Sequence, residues 1–435
     1  MKKLLTTLSL VILLAGTAFS QGWIFEGAFP DTNLRGGSGG HGIAVDPDGK
    51  VWVQPFGTTD SLFIPDSGRY LPVRVLYVYN PDGTPASFSP IKSITVGGVT
   101  DPLFNSGRGL RLAHDGHILA SFFDALYKVN YQTGEGIAKV IPVVNATLTA
   151  AAVATQTGNV FTAPVIPGAM PIKEFSSDFT FLGNAVDTTV GFSRAFEVSA
   201  DGNTIYWAGY TNHCVVVYNR ASEFDPFAVV DTIFKGFDSE SFCWSPNGQI
   251  LWASSGSYND MPNRYPGTTT YWDVATWYGR NMTTGEIVDS IKWQFNIPAN
   301  PNERPRGIAF SPDYRYAYVT CFGASNYPIV QKFRNPNVSV DDNGLTVIDG
   351  YKLSQNYPNP FNPTTSINFE LPKNGYTTLK IYDMLGNEVA TLIDKEMTAG
   401  QHTVKFNAQN LASGTYLYQL NVNGVRISNK MILMK

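Results

Sequence analysis

The strongest constraint on this chain is a unit that recurs six times between residues 42 and 318: an apolar strand, a tight turn, and a second apolar strand. It reads Gly42-Ile43-Ala44-Val45-Asp46-Pro47-Asp48-Gly49-Lys50-Val51-Trp52-Val53, and again Gly109-Leu110-Arg111-Leu112-Ala113-His114-Asp115-Gly116-His117-Ile118-Leu119-Ala120. Looser copies run through Ala151 to Phe161, Ala195 to Tyr206, Ser241 to Trp252 and Gly307 to Tyr318. The equivalent turn positions are Asp48, Asp115, Thr157, Asp201, Asn247 and Asp313, spaced 42 to 67 residues apart. Asp-Gly and Asn-Gly suit a tight hairpin because they tolerate the positive φ that such a turn requires. After each pair comes a third strand such as Val215 to Asn219, then a polar turn such as Gln132-Thr133-Gly134-Glu135, then a fourth strand. Four strands per repeat at this period is the signature of a propeller blade. The sixth copy has no fourth strand of its own, and Trp23 to Phe29 can supply it and close the ring. The expected fold is therefore all-β, with a six-bladed propeller over residues 21–335 and seven blades as the alternative.

Composition agrees and removes several functions. Of 435 residues only 15% are charged, 40 are Gly and 27 are Pro, and the net charge is −4. Such a chain suits many short strands joined by turns, not a helical bundle or a disordered polymer. It has no basic excess with which to hold nucleic acid.

The N-terminus reads as a secretory leader. Lys2 and Lys3 precede an apolar run from Leu4 to Ala15, and Ala18-Phe19-Ser20 offers small residues for cleavage after Ser20. The run is shorter than the roughly 20 apolar residues that cross a bilayer, so no membrane span is expected. Residues 1–20 are assigned to this leader. Cys214, Cys243 and Cys321 lie in apolar strand-like runs with no ligand spacing, so they are expected to be buried thiols outside any disulfide framework.

Residues 351–435 alternate with period two: Ile367, Phe369 and Leu371; Leu379 and Ile381; Val404 and Phe406; Tyr416, Tyr418 and Leu420. Turn pairs at Asn374-Gly375, Gly386-Asn387, Ala399-Gly400, Ser413-Gly414 and Asn423-Gly424 divide the strands, which predicts a small immunoglobulin-like antiparallel β-sandwich. This segment carries 8 basic and 5 acidic residues, whereas residues 21–335 carry 21 and 27. Between them, residues 336–350 hold three Asp and no basic residue and read as a linker.

Leu353-Ser354-Gln355-Asn356-Tyr357-Pro358-Asn359-Pro360-Phe361-Asn362-Pro363-Thr364-Thr365 resembles the opening motif of the type A C-terminal sorting domain of the type IX (Por) secretion system. Ile381 to Val389 and Leu411 to Tyr416 resemble its later motifs in order, and Lys430 to Lys435 resembles its ending. The resemblance implies Sec export, handling of residues 351–435 by the type IX machinery, and a destination outside the cell or on its outer surface. The repeats resemble YVTN and NHL-like propellers, as in Tyr318-Val319-Thr320, although Cys321 stands where that family has Asn. This second resemblance concerns fold and carries no activity.

The repeat register also locates a candidate site. The residue seven places before each turn position should stand where the innermost strand enters the channel, which gives His41, Arg108, Ala150, Arg194, Glu240 and Arg306. Three guanidiniums on one ring suit a planar oxyanion, which they can hold bidentately. Ion pairing within the ring is the competing reading. Long insertions at Gln54 to Leu71 and Ser254 to Trp277 should emerge on the same face. They carry Phe56, Phe63 and Tyr70, and Tyr258, Tyr265, Tyr271, Trp272 and Trp277. Of these, Tyr265, Trp272 and Trp277 are expected to contact a sugar or peptide by stacking.

Catalytic patterns fail on context. Gly36-Gly37-Ser38-Gly39-Gly40 has the spacing of a nucleophile elbow but leads into a strand, and His114 and His117 flank a hairpin on the other rim. Gluconolactonase-like propellers hold a metal with a carboxylate and amides, and only Glu240 fits that set. No catalytic residue, metal ligand or cofactor is therefore assigned. The expected function is a secreted or surface binding module for a glycan, peptide or anionic group. The alternatives are a hydrolase or lactonase with its active site at the channel mouth, or a purely structural surface component.

Overall fold

The computed structural model describes residues 22–435 except 32, 35–37, 58, 167–168, 192, 210–212, 256–271, 274, 296–303, 324–327, 337, 339, 342–344, 349–350, 384–386 and 423–424. The expected leader, Tyr258, Tyr265 and Tyr271 thus lie outside the described residues. Among those residues the structure is strand and turn, with one short 3-10 segment at Pro65–Ser67.

The repeat forms because its turn positions satisfy their own backbone. Five of the six side chains accept a hydrogen bond from the N–H two residues on. These bonds run from His117 N to Asp115 (3.3 Å), Asn159 N to Thr157 (3.2 Å) and Asn203 N to Asp201 (3.0 Å), and likewise from Gln249 N to Asn247 (3.1 Å) and Arg315 N to Asp313 (3.0 Å). The first copy differs: Asp46 takes the N–H groups of both Asp48 and Lys50. The next residue has positive φ in all six copies, as Gly in five and as Tyr314 (φ 59°) in the last.

Each turn opens an antiparallel meander. Among the described residues, five sheets of the repeat region have four strands, for example Phe196–Val198, Thr204–Gly209, Cys214–Asn219 and Ala228–Ile233. The first sheet has three: Gly40–Val45, Val51–Pro55 and Tyr77–Tyr79. Its expected fourth strand is absent from the sheet. Pro81, Pro85 and Pro90 interrupt the segment that would form it, and proline cannot donate to a ladder. The innermost strands are Gly40–Val45, Gly107–Leu112, Ala152–Val153, Phe196–Val198, Phe242–Trp244 and Arg304–Phe310. Each neighbours the next, and the last neighbours the first. This is a β-propeller.

The ring closes at a seam. Ile24–Ala28 pairs antiparallel with Val330–Arg334 as the outermost strand of the last sheet. Trp23 anchors the seam: its Nε1 donates to Asp289 Oδ2 of the preceding sheet at 2.9 Å, and its ring packs on Trp252, Phe310 and Tyr314. The core lies between sheets, in clusters such as Trp252, Trp277, Ile308, Val319 and Phe333.

The C-terminal region is a two-sheet β-sandwich. One sheet has the order Val340–Asp341, Leu345–Ile348, Tyr351–Leu353, Thr364–Leu371 and Gly400–Asn407. The other has the order Glu388–Met397, Gly375–Tyr382, Gly414–Val422 and Val425–Leu433. Two of these strands fall inside the stretch read as a linker. Ile367, Phe369, Leu379, Ile381, Tyr418 and Leu420 are buried between the sheets, as period-two alternation requires. The opening motif serves this packing. Asn356 is buried, its Nδ2 donating to Pro358 O (3.0 Å) and Thr365 Oγ1 (2.9 Å), while its N–H donates to the Tyr418 hydroxyl (2.9 Å).

Candidate functional site

The six positions found from the repeat register line one cavity at the channel mouth: His41, Arg108, Ala150, Arg194, Glu240 and Arg306. The cavity is about 20 Å³, room for about one water-sized group. Their order around the ring follows the order of the sheets, so Ala150 sits between Arg108 and Arg194, and Glu240 sits between Arg194 and Arg306.

Close backbone approach sets this geometry. A Cβ on Gly107 would lie 1.7 Å from the Gln54 amide nitrogen, and one on Gly109 would lie 2.2 Å from the Ala150 Cβ. Glycine on both sides of Arg108 therefore lets the neighbouring innermost strands converge. Gln54 pins the spot, accepting from Gly109 N at 2.9 Å and donating to Ser121 O at 3.2 Å. On the far side, Trp277 Nε1 donates to Arg306 O (3.2 Å), and Ser254 Oγ accepts from Glu240 N (3.1 Å).

One half of the ring is a continuous ion-pair chain. Glu240, whose side chain is fully buried, takes Arg194 Nη1 on Oε1 at 2.7 Å and Arg306 Nη1 on Oε2. Arg306 Nε then donates to His41 Nε2 at 3.2 Å, which leaves the imidazole proton on Nδ1. Burial holds the His41 pKa well below its ordinary value, and the Arg306 and Arg108 charges add to the effect, so the ring is neutral at physiological pH. Phe56 and Phe322 wall this half, with centroids 4.9 and 5.5 Å from the His41 ring, and the Arg306 guanidinium lies 5.1 Å from the Phe322 centroid.

The other half is different. Arg108 has no carboxylate within ion-pair distance among the described residues, and its buried Nε has no hydrogen-bond partner there. Its pKa is lowered, first by burial and then by the Arg194 charge, with the Glu240 charge opposing. At this level the described residues place three guanidiniums against one carboxylate.

A second pair, whose Arg111 lines the same cavity, was not singled out from the sequence. Arg111 Nε meets the buried Glu197 Oε2 at 3.2 Å, and its Nη2 donates to Phe242 O. The Glu197 pKa is raised by burial, with Arg111 opposing. Arg111, Glu197 and Cys243 each stand four residues before a turn position, so the same register that found the rim contains them. Burial pushes the Cys243 thiol up to about 12 and the Cys214 thiol up to about 11, and all three cysteines are free.

The tryptophans expected to stack on a ligand do not face one. Trp272 is 8% exposed, packs on Phe234, Phe237 and Tyr278, and donates to Lys235 O at 2.9 Å; Trp277 is fully buried. Both are core residues, and Trp277 positions the Arg306 backbone. The first insertion is the hairpin Asp60–Ile64 and Arg69–Val73, whose Phe63 and Tyr70 are 47% and 70% exposed with centroids 5.3 Å apart. Among the described residues, no group of three or more His, Cys, Asp or Glu gathers to hold a metal ion, and no helix is long and apolar enough to cross a membrane.

Residues 355–434 match the family of secretion-system C-terminal sorting domains. That tail marks the chain as cargo handled by the type IX secretion machinery, delivered to the cell surface or the extracellular space. No curated protein matches the chain. Similar solved structures include a chain of the mitotic checkpoint complex, 12% identical with a TM-score of 0.46, covering 77% of this chain and 99% of that one. PorZ, a surface component of the type IX secretion system of Porphyromonas gingivalis, is 12% identical with a TM-score of 0.38, covering 90% and 51%. Regucalcin, a calcium-binding protein of Agrobacterium tumefaciens, is 15% identical with a TM-score of 0.43, covering 71% and 93%. At these TM-scores no property of those proteins is carried to this chain.

Proposed function

We propose that this type IX cargo is a binding module, secreted or displayed on the cell surface, that grips an extracellular ligand by an anionic group at the mouth of its propeller channel. In this reading, residues 1–20 are a leader, residues 21–335 are the functional propeller, and residues 351–435 are the sorting tail. One observation carries the proposal: beside Arg111, which Glu197 pairs, the mouth concentrates three more arginines, one carboxylate and a neutral histidine in a largely buried ring. Excess like charge in a poorly solvated place raises the energy of the empty state and favours a counter-anion.

The test is thermal melting of the mature chain against panels of organic acids, acidic and neutral oligosaccharides, peptides, Ca²⁺ and Zn²⁺. An anionic ligand at about 100 times its Kd adds about 2.7 kcal/mol, which a melt resolves easily. Acidic ligands should raise the melting temperature, and added salt should weaken the effect. A shift produced only by neutral glycans, or by metal ions alone, refutes the reading; the metal result would favour the hydrolase.

A further inference from the structure

We infer that the ring is one carboxylate short, and that the ligand's carboxylate fills the gap over Ala150 between Arg108 and Arg194. This inference rests on the proposal of an anion-gripping mouth and adds the chemical class and the position.

The chain supplies its own template. Between Arg194 and Arg306 stands Glu240, one oxygen to each guanidinium. One sheet pair away the arrangement recurs with the acid missing. Arg108 and Arg194 flank a position occupied by Ala150, which lines the same cavity and offers only a methyl group. The Glu240 side is satisfied. On the Ala150 side the Arg194 charge bears on Arg108, and the buried Arg108 Nε has no hydrogen-bond partner among the described residues. A guanidinium presents its donors in a planar fork, so the complement it lacks is a planar acceptor with two oxygens.

Size narrows the class. About 20 Å³ admits one water-sized group, which suits the flat head of a carboxylate whose remaining structure stays outside the mouth. A tetrahedral phosphate or sulfate is bulkier and carries a third oxygen beyond the two that one planar fork meets. Arg306 already engages Glu240 and His41 Nε2.

The experiment compares acetate with phosphate and sulfate at matched ionic strength, using melting and NMR titration of the mature chain, the Arg108→Gln variant and the Ala150→Glu variant. Acetate should bind the natural chain. Arg108→Gln should weaken it about 10- to 100-fold, the span expected for charge-assisted hydrogen bonds. Ala150→Glu should melt higher than the natural chain and lose the acetate response, because the ring then carries its own second acid; if that variant does not fold, Arg108→Gln decides alone. Phosphate and sulfate binding as well as acetate, with loss in Arg108→Gln, overturns the carboxylate assignment but leaves the anion-gripping mouth standing. Anion binding unchanged by Arg108→Gln, or no anion binding at all, removes both. Glucuronate and a tripeptide, each beside its methyl ester or amide, separate a sugar acid from a chain terminus. One free acid must outbind acetate, and parity of both acids with their neutral forms overturns the inference.

Discussion

Replacing Glu240 by Gln tests the electrostatics of the ring directly. The side chain is fully buried, and it neutralises Arg194 and Arg306, whose side chains are 22% and 5% exposed. Glutamine keeps the shape and one accepting oxygen but removes the charge, leaving three arginines with no acid among the described residues at that level. Breaking a buried pair by neutralising one partner costs about 3–5 kcal/mol, because the other charge stays behind uncompensated. For a propeller of this size, about 2 °C per kcal/mol gives a loss of about 6–10 °C in melting temperature. The assay is calorimetry or urea unfolding of the mature variant beside the natural chain, with and without acetate. Acetate should restore part of the loss in the variant, since bound over Ala150 it lowers the excess positive charge of the ring. A loss below about 1 kcal/mol would mean that the arginines are solvated as surface groups are, and the account of the mouth would fail.

Two further predictions concern other parts of the molecule. Burial pushes the Asp289 carboxyl up to about 6, so the folded chain holds that proton more tightly than the unfolded one. The stabilisation is complete below about pH 4 and is lost as the pH rises through 6. Asp289→Asn, which retains an acceptor for Trp23 Nε1, should therefore melt higher than the natural chain at pH 7.5, by up to about 3 kcal/mol, and should flatten the slope between pH 4 and 6. An unchanged slope would refute it. In the sorting tail, the Tyr418 hydroxyl donates to Ser354 O at 2.7 Å and accepts from Asn356 N at 2.9 Å. Tyr418→Phe should cost about 1–3 kcal/mol and speed hydrogen exchange of Asn356 N–H, and unchanged exchange would contradict that role.

The parts of this fold that were readable from sequence are those where one residue does a local job repeatedly. A side chain that caps the backbone two residues ahead leaves a mark at every hairpin, so the turn positions of Asp115, Asp201, Asn247 and Asp313 announced the sheets. Counting back from them brought six residues of distant sequence to one cavity. Arg111 and Glu197 sat in the same frame but were missed, because a single Arg and a single Glu inside apolar strands show no pattern until their contact is seen. Trp272 and Trp277 went the other way. An aromatic in a long insertion looks the same in sequence whether it faces solvent or packs into the core, and here both pack inward. The fourth strand of the first sheet failed for a reason that was legible: three prolines within ten residues deny the ladder its donors.

The seam also limits how the chain can be processed and fused. The ring is held shut by five residues at one end of the propeller lying against five at the other, with Trp23 as the outermost contact. Among the described residues, removing Trp23 detaches its indole from Asp289, and removing five more strips the last sheet of its outer strand. Cleavage after Ser20 would leave a margin of two residues. The same closure makes the propeller an end-of-synthesis structure, because Ile24–Ala28 has no partner until Val330–Arg334 has been made. The sorting tail lies downstream of that point, so a chain truncated before the seam partner lacks both a closed ring and the tail that the type IX machinery handles.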